Sequence, residues 1–194
     1  MLTTWQKGRE LVTQKREHDE GPLQEFIDEL HDRSPAVPRT TGTAVFLNRG
    51  KTTAPLAMRA NVKHNHLLHE NVVILSIETE PIPRVPESDR IVLDDLGYSD
   101  DGIIHVTARF GYMQDPDLPG ALRLASEQSA EFEIDLDETS YFLSTIELHV
   151  SDAPGMTRWR KRLFVATSSI TADAADYFGL PRDRVVIMGS QINV

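Results

Sequence analysis

The sequence predicts an α/β fold, a mixed and mostly parallel sheet flanked by helices, with a helical appendage at the N-terminus. Three observations carry this reading. Apolar, β-branched runs such as "TAVFLN" (43–48) and "NVVILSIETE" (71–80) alternate with stretches of helical periodicity. The second run is almost continuously apolar at its start, as a strand covered on both faces is. "DRIVLDDLG" and "GIIHVTARFGY" flank the turn-forming "YSDDG", so they read as an antiparallel hairpin that makes the sheet mixed.

In chain order, residues 3–31 read as two helical pieces broken at "EGP". Thr3 or Thr4 caps the first. Pro22 opens the second, which places Leu23, Phe26, Ile27 and Leu30 on one face. "RSPAVPRTTG" follows, where Pro35 and Pro38 oppose regular structure and mark a connection. After the first strand come a polar loop and a helix expected from about Pro55 to His69. The hairpin leads to a short helix at "DPDLPGALRLASE" and a strand within "TSYFLSTIELHV". A long helix is expected from about Gly155 to Phe178, with Trp159, Leu163, Ala166, Ile170, Ala174 and Tyr177 as its core stripe. "GLP" ends it, and "DRVVIMGSQINV" is the last strand.

Composition sets the functional classes. At 194 residues the chain suffices for one domain with a sizeable core. Its 40% hydrophobic content describes a globular protein, and a net charge of −10 argues against nucleic acid as a partner. The absence of cysteine excludes disulfides, thiolate metal sites and cysteine nucleophiles, and suits a reducing compartment. No apolar stretch approaches the roughly 18 to 20 residues that span a bilayer. The opening "MLTTWQKGRE" lacks a signal-peptide core, so this chain by itself reads as soluble and cytosolic.

The cluster "KHNHLLHE" asks whether a metal is held. On a helix, each position advances by about 100°, so His64 faces the core side, His66 points nearly opposite and His69 lies between. Three rings so arranged do not converge as zinc requires, even with Glu70 nearby. The reading is therefore His64 as a partly buried, hydrogen-bonded ring and His66 as solvated. No P-loop, G-x-G-x-x-G or G-x-S-x-G is present, and Gly189-Ser190 lacks the flanking glycines of a nucleophile elbow. Glu131, Glu133, Asp135 and Asp137 alternate with Phe132, Ile134 and Leu136, the pattern of an edge strand with one solvated face. Arg158, Arg160, Lys161 and Arg162 oppose the dipole of the long helix at its start and call for an anionic partner.

One loop carries binding chemistry. In "NRGKTTAP" (48–55), Lys51 supplies charge, Gly50 permits close approach, and the amides of Thr52 and Thr53 precede a helix N-terminus. Arg49 adds a planar contact. These residues are a candidate anion or nucleotide site; a plain solvated turn has the same composition.

"GTAVFL", "NVKHNHLLHENVVILSIETEPIPRVP", "RFGYMQDPDLPGAL", "MTRWRKRLF" and "DYFGLPRDRVVIMGSQINV" occur in order over residues 38–194. Together they resemble the cytoplasmic C-terminal region of the Kup-type potassium uptake transporters. "TTWQKGRELV" resembles the family's exit from its last membrane helix, with Met1 then an internal methionine. The net basic first 16 residues agree with that placement. The chain departs from the family at His66, where Lys or Arg is usual, and at Ser168 and Ser169, where an Arg-Asn pair is usual.

The resemblance implies a juxtamembrane appendage and linker (1–37) followed by a cytoplasmic α/β domain (38–194). It implies no catalysis and no cofactor, and a place at the cytoplasmic side of the cell membrane. The partners it implies are the membrane part of the same proton-coupled transporter and a second copy in a homodimer. The expected role is dimerisation, stabilisation or regulation. The alternative is a sensor that binds a nucleotide of the cyclic dinucleotide type at the strand C-termini.

Overall fold

The computed structural model describes residues 13–14, 16–99, 101–129, 134–149 and 177–193. Six strands, β1 (Arg39–Asn48), β2 (Leu68–Glu80), β3 (Ile91–Asp94), β4 (Ile103–Gly111), β5 (Thr139–His149) and β6 (Val185–Asn193), form one sheet in the order β3-β4-β2-β1-β5-β6. Only β3 runs antiparallel, against β4. The mixed, mostly parallel α/β sheet read from the sequence is the fold found.

Helices α1 (Leu23–Asp32), α2 (Leu56–Ala60), α3 (Glu87–Arg90) and α4 (Leu118–Gln128) flank the sheet, with single turns at Asn61–Asn65 and Arg182–Arg184. α4 starts where Asp117 accepts a hydrogen bond from the Gly120 amide at 3.0 Å, with Pro119 in the first turn. It buries Leu118, Ala121, Leu122 and Ala125 against Val45, Val73, Leu75 and Val106. On the opposite face α1 and α2 cover Ala44, Phe46, Val72, Ile74 and Phe142. Because side chains alternate along a strand, Ala44 and Phe46 serve one core while Val45 serves the other. This two-sided burial explains the unbroken apolar runs.

The helical appendage is built into this second core. Leu23, Phe26 and Ile27 are buried, and Leu30 packs at the margin. Gln24 Nε2 donates to the Leu96 carbonyl at 3.0 Å, the Tyr98 hydroxyl to Asp28 at 3.1 Å, and the Tyr98 ring stacks on His31 at 4.2 Å. Residues 16–20 form a further helical turn, separated from α1 by Gly21 at φ +63° and Pro22. The break at "EGP" is thus where the sequence places it.

Several boundaries differ from expectation. The helix after β1 is five residues long and passes into a π-helical turn, Asn61–Asn65, ending at His66 in the left-handed region. Asn61 draws the chain round by donating to the Leu67 carbonyl at 2.9 Å. His64 is therefore exposed, not partly buried. β1 begins at Arg39, inside the stretch read as a connection; Gly42 at φ +93° accommodates a register shift between Thr40 and Thr43.

Residues 134–138 form a turn into β5 rather than part of an edge strand, since Asp135 accepts hydrogen bonds from Asp137 and Thr139. Residues 130–133 lie outside the described residues. So does nearly all of the expected long helix, including its basic cluster and, save for Tyr177, its apolar stripe. Tyr177 is 64% exposed, edge-on to Phe178 beside the strand ends, and does not join the core. Gly189 and Ser190 lie within β6.

Candidate functional site

From β1 the chain builds β2 and β4 to one side, then crosses to place β5 and β6 on the other. The order reverses between β1 and β5, and such a reversal leaves a crevice beyond the carboxyl ends of the strands. A cavity of about 580 Å3 lies there, lined among others by Asn48, Arg49, Thr79, Tyr112, Ser144 and Phe178.

The loop after β1 forms one wall, and buried polar side chains hold it. Asn48 at the end of β1, Ser76 within β2, and His105 and Thr107 within β4 are nearly inaccessible. Asn48 Nδ2 and Ser76 Oγ both donate to the Gly50 carbonyl at 2.8 Å. Ser76 thereby spends its one hydrogen, so its oxygen accepts from His105 Nε2 at 3.0 Å, which fixes the ring as the Nε2–H tautomer. A serine committed in this way, 1% exposed, is a strut and not a nucleophile.

The loop is also joined to the appendage. The Leu23 amide donates to the Thr52 carbonyl at 2.8 Å, and the Ala54 amide to the Gly21 carbonyl at 3.0 Å, around a bridge between Pro22 and Thr53. Hence the five residues singled out have different surroundings. Arg49 lines the cavity, its amide donating to Asn48 at 3.0 Å. Gly50, Thr52 and Thr53 turn their carbonyls inward to structural donors. Lys51 Nζ reaches Glu78 at 3.0 Å, and Glu78 also faces Arg109 at 3.5 Å. The helix after the loop starts where expected, with Pro55 before its first residue Leu56.

The three histidines do not meet: His64 and His66 are exposed on the π-helical turn, while His69 stands in β2, edge-on to Phe142 at 5.8 Å. Among the described residues no group of three or more His, Cys, Asp or Glu side chains is arranged to hold a metal.

The Ser76–His105 strut passed unnoticed in the sequence, although its signal is there: single polar residues interrupt the apolar runs "VVILS" and "IIHV". Burial pushes the His105 pKa below its usual 6.5, with Lys51 lowering it further and Asp94 and Glu78 opposing. The folded state then binds fewer protons than the unfolded chain as pH falls below 6.5, so unfolding gains. The His105 contribution is fully present above pH 6.5 and is lost as pH drops toward the depressed folded value. Melting temperatures at pH 7.5 and 5.5 are expected to differ less for His105→Gln, whose amide still donates to Ser76, than for the unmodified chain. Equal differences would refute this.

A family model described as "K+ potassium transporter C-terminal domain" matches residues 41–194. The chain belongs to this family. Among curated relatives, the "Probable potassium transport system protein Kup" of Rhodococcus jostii (strain RHA1) is 60% identical over 194 residues, all of this chain and 30% of the relative. "Kup 1" of Paramagnetospirillum magneticum is 40% identical over all of this chain and 29% of its own length. The Kup protein of Cutibacterium acnes is 37% identical over 99% of this chain and 30% of its own. The chain thus spans about 30% of the Kup relatives it matches. No solved structure matches it. Among the described residues no helix is long and apolar enough to cross a membrane.

Proposed function

We propose that this chain is the cytoplasmic regulatory domain of a proton-coupled potassium uptake transporter and performs no catalysis itself. Membership of the Kup C-terminal family supports the setting. The observation that carries the regulatory role is the seam at Gly21–Leu23 and Thr52–Ala54, where the segment leading into the domain is hydrogen-bonded to the loop at the strand ends. A displacement of that loop is passed directly to the helix. In the full-length transporter, Ile27→Asp, which unseats α1 from the core, is expected to change rubidium uptake at least threefold at equal membrane abundance. Unchanged uptake would refute the role.

The strand-end cavity favours a second reading, a sensor for a nucleotide of the cyclic dinucleotide type. Exposed Tyr112 and Tyr177 offer ring faces for a base, and Arg49 offers a planar cation for a phosphate. A thermal-shift screen of the chain against nucleotides separates the two, since a ligand preferring the native state raises the melting temperature. Self-association belongs to the first reading. With residues 134–138 in a turn, its edge is β6, the outer strand, where Val186 and Ile187 are 42% and 61% exposed.

A further inference from the structure

A second cavity, of about 610 Å3, opens on the other side of the seam, between α1 and the π-helical turn. In a chain of net charge −10 its lining is basic: Arg33, Arg59 and Lys63 stand there against Asp19 and Glu29, with His64 and His66 at the rim. Arg59 is the built part. Its guanidinium lies over the Phe26 ring at 4.4 Å. Gly21 faces it from the other side, and a Cβ there would come within 2.8 Å of Arg59 Nη2. The Nε atom is buried without an acceptor, and among the described residues neither cavity carboxylate forms an ion pair with the group. Arg59 is only partly buried as a residue, and a guanidinium with no carboxylate of the chain on it keeps its donors for a group from outside, water or anion.

We propose that this cavity binds a phosphate group, with Arg59 as its fixed fork and Lys63 and Arg33 as exposed charges beside it. A planar guanidinium held by stacking suits phosphate oxygens, and the lysine acts as a point charge. The group is carried by an acidic lipid headgroup or by a free phosphate compound. Because Gly21 is the residue on which Arg59 rests, occupancy bears on the same hinge that joins the appendage to the loop after β1.

Two probes test this on the 194-residue chain: calorimetry with pyrophosphate, and flotation with vesicles of phosphatidylglycerol in phosphatidylcholine against phosphatidylcholine alone. Binding to acidic vesicles only assigns a headgroup; binding of pyrophosphate assigns a free phosphate compound. In either arm Arg59→Gln is expected to weaken binding about tenfold or more, as loss of a charge-assisted hydrogen bond does. Arg59 also packs on Phe26, so Lys63→Gln, at an exposed position, is the variant that cannot fail by unfolding; about a threefold loss is expected there. Neither probe binding at millimolar concentration overturns the proposal, as does full affinity in Lys63→Gln together with a folded Arg59→Gln. Loss on Arg49→Gln alone would move the ligand to the strand ends and overturn it equally.

Discussion

Phe46→Ala is expected to destabilise the domain by about 3–5 kcal/mol, the cost of emptying a fully buried aromatic site. Phe46 sits in the C-terminal half of β1, one of the two central strands, with none of its surface exposed and its ring stacked on Phe142 at 4.7 Å. Around it lie Ala44, Val72, Ile74 and residues of α1 and α2, contributed by separate stretches of chain. No single neighbour can move in to fill the void without leaving its own strand or helix, so collapse is limited. For a domain of this size the melting temperature should fall on the order of 10 °C. A loss below about 1 kcal/mol in urea denaturation would mean that this core is fluid, contrary to its packing.

The second large effect is expected at Gly111. A Cβ there would lie 2.4 Å from the Pro83 carbonyl oxygen and 2.6 Å from the Arg84 nitrogen, both backbone atoms with no rotamer to escape into. The segment cannot retreat freely. Gln114 Oε1 accepts from the Gly111 and Val85 amides at 2.8 Å, and the Met113 amide donates to the Pro83 carbonyl at 3.1 Å. Gly111→Ala should therefore cost about 3 kcal/mol, at the upper end for overpacking, and should disturb the wall of the strand-end cavity. Gly50→Ala is the contrast. Its new carbon would meet only Thr53 Oγ1 at an ordinary 3.6 Å, so its stability should change by less than about 0.5 kcal/mol. Equal losses at the two glycines, measured by chemical denaturation, would contradict this account of both.

Legibility in the sequence followed the range of the interaction involved. The strands and α4 were readable because burial on two faces writes unbroken apolar runs, and because Asp117 and Pro119 write a helix start locally. The short length of α2 is not legible, because apolar spacing through Leu67 and Leu68 continues a helical period that the Asn61–Leu67 hydrogen bond overrides. The loop after β1 was recognisable as a special stretch, yet its partners were not, since Leu23, Ser76 and Glu78 reach it from 26 or more positions away. Arg59 carried no signal at all. Its isolation depends on Gly21 and Phe26, which no local pattern connects to it.

The position of β1 has a consequence for how the chain acquires its shape. Its two partners come from very different distances: β2 begins 20 residues after Asn48, whereas Thr43 pairs with Thr139. The half-sheet β3-β4-β2-β1 can close first, as chain emerges from the ribosome, but one edge of β1 then stays open until β5 has been made. During that interval the unpaired amides and carbonyls along that edge of β1 present a ready template for the wrong strand. Assembly from the middle outward thus concentrates the hazard of misfolding into the time needed to translate residues 112 to 149.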